Sequence, residues 1–224
     1  MWGNGAQSTP SPATPSPSSM LGSAVSSSTP NDFHPSSQCL SKSLLGPDDY
    51  RTMCLLPSGM GMRNYLIEGV SGTGKTSVCR ELQRRGYCAV NGDTDLAYQG
   101  DPDTGKPTDG VTHEHHIWHV DRVRALVADR QEPVAFFCGG SRNFSKFIDL
   151  FDGVFVLEVD LDTLNRRLDQ RPEDEWGGKQ TERELIVRLH QTKEDIPKNG
   201  IVIDATAPIA HVVDEIVRKA KQIN

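Results

Sequence analysis

The chain has 224 residues, with 24 Lys and Arg against 30 Asp and Glu, and a formal charge of −6. Its 36% hydrophobic content is ordinary for a soluble fold, and its longest apolar runs, such as 134–138 and 154–157, fall far short of the roughly 18 residues a spanning helix needs. No membrane span is expected, and no broad electrostatic footprint for nucleic acid or anionic lipid.

Residues 1–62 hold 8 of the 14 prolines and 14 serines, but only five charged side chains: Asp32, Lys42, Asp48, Asp49 and Arg51. A stretch without helical or strand period cannot bury enough apolar surface to offset its ordering entropy, so a disordered Ser/Pro-rich tail is expected. No basic residue precedes an apolar run there, which argues against a secretory leader, and the scarcity of Arg argues against a transit peptide. An alternative reading starts translation at Met60 or Met62, leaving the tail upstream of the true start. Residues 63–224 carry a charge of −5 and suffice for a single α/β domain. The five cysteines (Cys39, Cys54, Cys79, Cys88 and Cys138) form no C-x-x-C pair, which suits free thiols in a reducing, cytoplasmic setting.

From Arg63 onward strand and helix signals alternate. Asn64 to Glu68 is a run of β-formers ending at a glycine-rich turn, and Thr76 to Arg85 follows as a helix with Val78 and Leu82 four apart. Tyr87 to Val90 reads as a second strand. Thr112 to Arg130 is predicted as one long helix with Thr112 and Glu114 as a capping pair. Val134 to Cys138, apolar without alternation and closed by Gly139-Gly140, reads as a fully buried strand. Val154 to Val159 and Ile201 to Ile203 complete the strands. Leu161 to Asp169, Thr181 to Lys193 and a stripe of Ile209, Val212, Val213, Ile216, Val217 and Ala220 give the remaining helices. The expected fold is α/β: a five-stranded parallel sheet with helices on both faces, its ligands at the carboxyl ends of the strands.

The sharpest motif is Gly69-Val70-Ser71-Gly72-Thr73-Gly74-Lys75-Thr76, which fits G-x-x-x-x-G-K-[ST] between a strand and a helix. Its glycines let successive N–H groups converge on phosphate, and the helix N-terminus adds partial positive charge. Lys75 brings a point charge to the outer phosphates and Thr76 a hydroxyl to Mg²⁺, so ATP and Mg²⁺ are the expected cofactors. The plain alternative is a solvated Gly/Ser turn.

Beyond this loop, residues 63–224 resemble the small P-loop kinases, the group of shikimate kinase, gluconate kinase and the nucleoside monophosphate kinases. Three stretches carry the resemblance: the loop with Cys79-Arg80-Glu81-Leu82, then 152–157 with Arg166-Arg167-Leu168-x-x-Arg171, then 203–208 with Val212 to Ile216. It implies a P-loop NTPase three-layer sandwich and an adenine contact in the loop holding Thr206 and Pro208. Asp93-Thr94-Asp95 resembles the Asp-x-Asp of shikimate kinase; Asp93 would then help hold the Mg²⁺ water shell, and Asp95 would orient or deprotonate the acceptor hydroxyl. The alternative is an Asp-rich turn after Asn91-Gly92. Gly139-Gly140 resembles a glycine turn that brings N–H groups to the acceptor. No acid closes Phe136-Phe137-Cys138, which leaves the metal to Thr76 and Asp93 and weakens a motor-ATPase reading.

Arg142 either clamps an anionic acceptor or rides on a solvated helix start. Arg167 and Arg171, four apart ahead of the aperiodic 172–179, read as lid arginines or as surface charges beside a loop, with Glu173, Asp174 and Glu175 able to pair with Arg171. His113, His115, His116 and His119 do not form H-E-x-x-H and lack a third ligand, which leaves metal binding the lesser reading. The resemblance implies instead that with Trp118 they line the acceptor side, since such kinases bind the second substrate between the second and third strands. The loop 101–107 is pocket or mere connection.

The resulting expectation is ATP- and Mg²⁺-dependent phosphotransfer to a small molecule such as a nucleoside, nucleotide, or hydroxy or sugar acid, by a monomer or homodimer. A nucleotide-binding switch without an acceptor is the rival. A polynucleotide end kinase is disfavoured by the acidic balance.

Overall fold

Side-chain alternation along the central strand sets the architecture. In β1 (Arg63–Glu68), Tyr65 and Ile67 join one apolar cluster and Leu66 joins another, all three fully buried. A strand buried on both faces needs cover on both. The computed structural model describes residues 63–129 and 132–223, so the expectations for residues 1–62 lie outside it.

After β1 come α1 (Lys75–Arg84), β2 (Cys88–Asn91), the single turn α2 (Gly92–Asp95), β3 (Ala97–Gln99), β4 (His116–Trp118) and α3 (Val120–Ala128). Then follow β5 (Val134–Cys138), two 3₁₀ turns at Phe144–Lys146 and Ile148–Leu150, β6 (Gly153–Glu158), α4 (Leu161–Asp169), α5 (Gln180–Thr192), β7 (Ile201–Asp204) and α6 (Ile209–Ala220). Five strands form one parallel sheet in the order β2-β5-β1-β6-β7, with Ile67 opposite Cys138 on one side and Phe155 on the other. On one face Val78 and Leu82 of α1, Leu164 and Leu168 of α4, Ile186 of α5, and Val213 and Ile216 of α6 pack against Tyr65, Ile67, Phe136 and Phe155. On the other, Val123 of α3, Trp118 and Phe147 pack against Leu66, Val90 and Phe137. The P-loop NTPase three-layer sandwich expected from sequence is therefore the fold. Because β1 lies between β5 and β6, the loop that leaves it opens at the point where chain order reverses across the sheet, the usual ligand site of such sheets.

One element differs from expectation. The long helix predicted over Thr112 to Arg130 begins only at Val120, and 116–118 is a strand paired antiparallel with 97–99. The Thr112 amide, expected to start a helix, donates instead to Gln99 Oε1 at 2.9 Å, and the Gly100 amide donates to the His115 carbonyl at 2.8 Å. Cross-strand pairing and burial of Ile117 and Trp118 outweigh the local capping preference. His115 and His119 therefore do not share a helical face.

Candidate active site

The loop after β1 takes the form its motif requires. Gly72 and Gly74 stand at φ 94° and 104°, backbone that side chains with a Cβ rarely adopt. Val70 is buried, and its carbonyl accepts from the Thr73 amide at 3.2 Å and from Thr73 Oγ1 at 2.8 Å, which tightens the turn. Lys75 Nζ donates to the Gly69 and Val70 carbonyls at 2.5 and 3.1 Å. Residues 71–76 open onto a cavity of about 400 Å³ whose far wall is Ala205, Ala207, Ile209 and Val212. Thr206 and Pro208, expected at the adenine, are exposed and do not line it; Thr206 instead closes a turn on Asp204 Oδ1 through its amide at 2.9 Å and its hydroxyl at 2.6 Å. It is the alanines on either side of Thr206 that face the cavity.

Arg167 spans this cavity. Its Nη1 donates to the Gly72 and Thr73 carbonyls at 3.2 and 3.0 Å, and its Nη2 to the Ala205 carbonyl at 2.8 Å, tying the P-loop to the loop after β7. Arg171 reaches Ser71 Oγ at 3.0 Å and the Trp176 carbonyl at 2.5 Å. Burial lowers the pKa of both guanidinium groups from their ordinary value. Neither arginine is a free surface charge, and of the acids at 173–175 it is Glu175 whose charge acts on Arg171.

A second cavity of about 420 Å³ adjoins, lined by Glu68, His113, His116, Gly140, Arg142, Trp176 and Asp195 among others. Asp93 enters it from α2. Its Oδ1 accepts the Gly140 amide at 3.0 Å and lies 3.3 Å from His116 Nε2. Burial opposes ionisation of Asp93, but the His116 hydrogen bond, the charge of Lys75 and the Gly140 amide together hold its carboxyl below the usual carboxylate range. The close approach depends on absent side chains: a Cβ at Gly139 would stand 2.7 Å from Asp93 Oδ1, and one at Gly92 would stand 2.0 Å from the Trp118 ring. The acid missing from the end of β5 in sequence is thus supplied across the glycine turn by Asp93.

Asp95 is not brought to either cavity; it accepts from Thr94 Oγ1 at 3.0 Å. On a four-residue turn, only one of two carboxylates spaced by two can face the sheet end. Gly139 packs behind Asp93, while Gly140 lines the second cavity. Arg142 does not present a free clamp. Its Nη1 donates to Asp195 Oδ2 at 2.9 Å and lies 2.9 Å from His113 Nε2, and its Nη2 donates to the Asp195 carbonyl at 2.8 Å. Burial opposes ionisation of Asp195, yet His113 and Arg142 hold its carboxyl below the ordinary range. Of the histidine cluster, His113 and His116 line the second cavity; His119 stacks on Tyr98 with centroids 3.9 Å apart. Trp118 is fully buried and stacks on Phe147 at 5.4 Å, so it shapes the site from behind rather than lining it.

Glu68, Trp176 and Asp195 are among the lining residues that the sequence reading did not single out. Glu68 is 1% exposed, with Oε2 accepting the Gly69 amide at 3.2 Å and Oε1 without a partner; burial pushes its carboxyl up to about 8 despite the nearby Lys75. A charged residue closing an otherwise apolar buried strand was its signal. An aromatic amid the acids of 172–179 was the signal for Trp176, whose ring lies nearly parallel to that of His113 at 5.8 Å. Nothing local marked Asp195.

Ser71, Lys75, Asp93 and Arg171 line both cavities. A phosphoryl group held by the loop in the first would therefore face a ligand in the second across an acid and two cations. Thr76 and Asp93 offer oxygen donors, the set suited to a hard cation such as Mg²⁺. Among the described residues, no group of three or more His, Cys, Asp or Glu is placed to hold a metal, so phosphates and water would complete its shell.

Among solved structures the chain is similar to a sugar kinase from Janibacter sp. HTCC2649, at 17% identity and a TM-score of 0.46, covering 72% of this chain and 95% of that one. A gluconokinase from Sinorhizobium meliloti 1021 is similar at 19% identity and 0.45, over 73% and 93%. A shikimate kinase from Bacteroides thetaiotaomicron follows at 15% and 0.44, over 72% and 99%. No curated protein matches the chain in sequence. The family described as AAA domain matches residues 66–188, which run from within β1 through the phosphate loop and the sheet into α5. That match takes in more than half of the 224 residues and every residue shared by the two cavities, and the chain belongs to this AAA-domain family.

Proposed function

We propose that the protein is an ATP- and Mg²⁺-dependent phosphotransferase acting on a hydroxyl of a small molecule. The observation that carries this reading is the junction of two cavities at Lys75, Asp93 and Arg171. The glycine loop and Arg167 bind and orient the triphosphate in the first cavity, with the adenine toward Ala205 and Ala207. When bound, Mg²⁺ supplies charge neutralisation on the transferring group, with Thr76 and Asp93 holding its water shell. The acceptor oxygen bonds to the γ-phosphorus as the bond from that phosphorus to the β–γ bridging oxygen breaks. ADP leaves with the bridging oxygen, and Asp93 takes the hydroxyl proton. Lys75 and Arg171 stabilise charge on the transferring oxygens. The similarity to sugar, gluconate and shikimate kinases agrees with the reading but does not choose the acceptor.

Among the described residues no helix is long and apolar enough to cross a membrane. The thiols of Cys79 and Cys138, buried and outside any disulfide, suit the reducing cytoplasm, where we place the protein as a monomer or homodimer. The test is ADP release across a panel of hydroxyl acceptors, with Lys75→Ala as the control. Acceptor-dependent turnover that falls about 100-fold or more in the variant is expected. Release equal to the water background with every acceptor overturns the reading in favour of a nucleotide-binding switch.

A further inference from the structure

The second cavity carries information about its ligand that the transferase reading does not use. Its one arginine away from the phosphate loop is already satisfied: the Arg142 guanidinium is spent on Asp195 and His113, with only 17% of its side chain exposed. Lys75 and Arg171 stand at the junction and belong to the transferring phosphoryl group. His113 and His116 are turned onto Asp195 and Asp93, at 3.4 and 3.3 Å, and what remains on the acceptor side is the negative charge of Asp93, Asp195 and Glu175, with the buried Glu68 carboxyl beside them. Two carboxyl oxygens on this wall, Glu68 Oε1 and Asp195 Oδ1, are buried without a hydrogen-bond partner. An unpaired buried acceptor is costly, so a ligand that brings donors is favoured and one that brings further anionic oxygens is not. Trp176, nearly parallel to His113, and Ile196 add an apolar face.

Resting on the transferase reading above, we propose that the acceptor is a hydroxyl compound without an acidic group. It is uncharged or aminated, lays one ring face against Trp176, donates a hydrogen bond to Asp195 Oδ1 and shares one with the Glu68 carboxyl. Sugar acids and phosphate esters are excluded, because they would place a second anion against Asp93 and Asp195 where Arg142, His113 and His116 already face those carboxylates and Lys75 and Arg171 face the phosphoryl group. Like charges brought together in a partly desolvated site cost several kcal/mol.

The experiment is the kinetics of the full chain with Mg-ATP and three acceptor sets of similar size: nucleosides and cyclitols, amino sugars and aminocyclitols, and nucleoside monophosphates with hexonic acids. The best member of the first two sets is expected to exceed the best acidic compound in kcat/KM by about 100-fold. Asp195→Asn, which removes the negative charge from beside Arg142, is expected to narrow that gap about tenfold by lowering KM for the acidic compounds. The wild-type ranking decides alone if the variant does not fold. An acidic acceptor used as well as or better than the others overturns the inference and leaves the transferase standing. ADP release at the water background with all three sets overturns the transferase reading, and the inference with it.

Discussion

The nucleotide cavity is shaped by main chain, through glycines at φ 94° and 104° and an arginine that binds three carbonyls, whereas the acceptor cavity is walled by side chains from positions as distant as Glu68 and Ile196. Main-chain cradles depend on a contiguous run of residues and so recur as a motif. Side-chain walls depend on where loops happen to meet, and residues such as Trp176, Asp195 and Ile196 belong to the wall alone. The difference ties phosphate binding to one contiguous run of backbone and ligand choice to scattered side chains.

Asp93 stands where the two meet, and its loss should be the most damaging change on the acceptor side. Asp93→Asn is expected to lower kcat about 10²–10⁴-fold while KM for Mg-ATP moves little, in steady-state kinetics with any working acceptor. A change confined to KM would make Asp93 part of the nucleotide half only.

Next in size is Gly92→Ala. The added Cβ would stand 2.0 Å from the buried Trp118 ring, so the variant is expected to lose about 1–3 kcal/mol in denaturant unfolding and to displace Asp93. Retention of both stability and turnover would show that Trp118 does not set the position of Asp93.

Glu68 gives a pH-dependent contrast. Its folded-state pKa of about 8 lies above the ordinary 4.5, so the native state keeps a proton that the unfolded chain releases. That contribution to stability is full below pH 4.5 and is lost progressively as pH rises toward 8. Glu68→Gln, which has no proton to lose, is therefore expected to match wild type in Tm near pH 4.5 and to exceed it by roughly 5 °C at pH 9. A constant difference across that range would show that Glu68 does not titrate in the folded protein. The smallest effect belongs to Asp95→Asn, expected to leave kcat within about twofold because the side chain reaches neither cavity.

The sequence made the sheet and the cradle legible for the same physical reason: both rest on local pattern. An apolar run without alternation marked β5, and the glycine spacing marked residues 69–76. Failure came where tertiary pairing won. The β3–β4 hairpin consumed the first turns of a predicted helix, because Trp118 gains more by burial against Phe147 than by a helical backbone. In the site, Lys75, Asp93, Arg167 and Arg171 come together at the first cavity, and Arg142 lines the second but is paired with Asp195. Asp95, Thr206 and Pro208 line neither, since each depends on which way one side chain turns. Asp195, 53 residues from the arginine it holds, shows the limit most plainly.

Arg171 is shared by both cavities and also grips the carbonyl of Trp176, whose ring forms the outer wall of the second. Occupancy on either side must therefore shift the same guanidinium, and the two ligands cannot bind independently. Reciprocity then requires each to change the other's dissociation constant by one common factor, so that titrations begun from opposite directions close a single thermodynamic cycle.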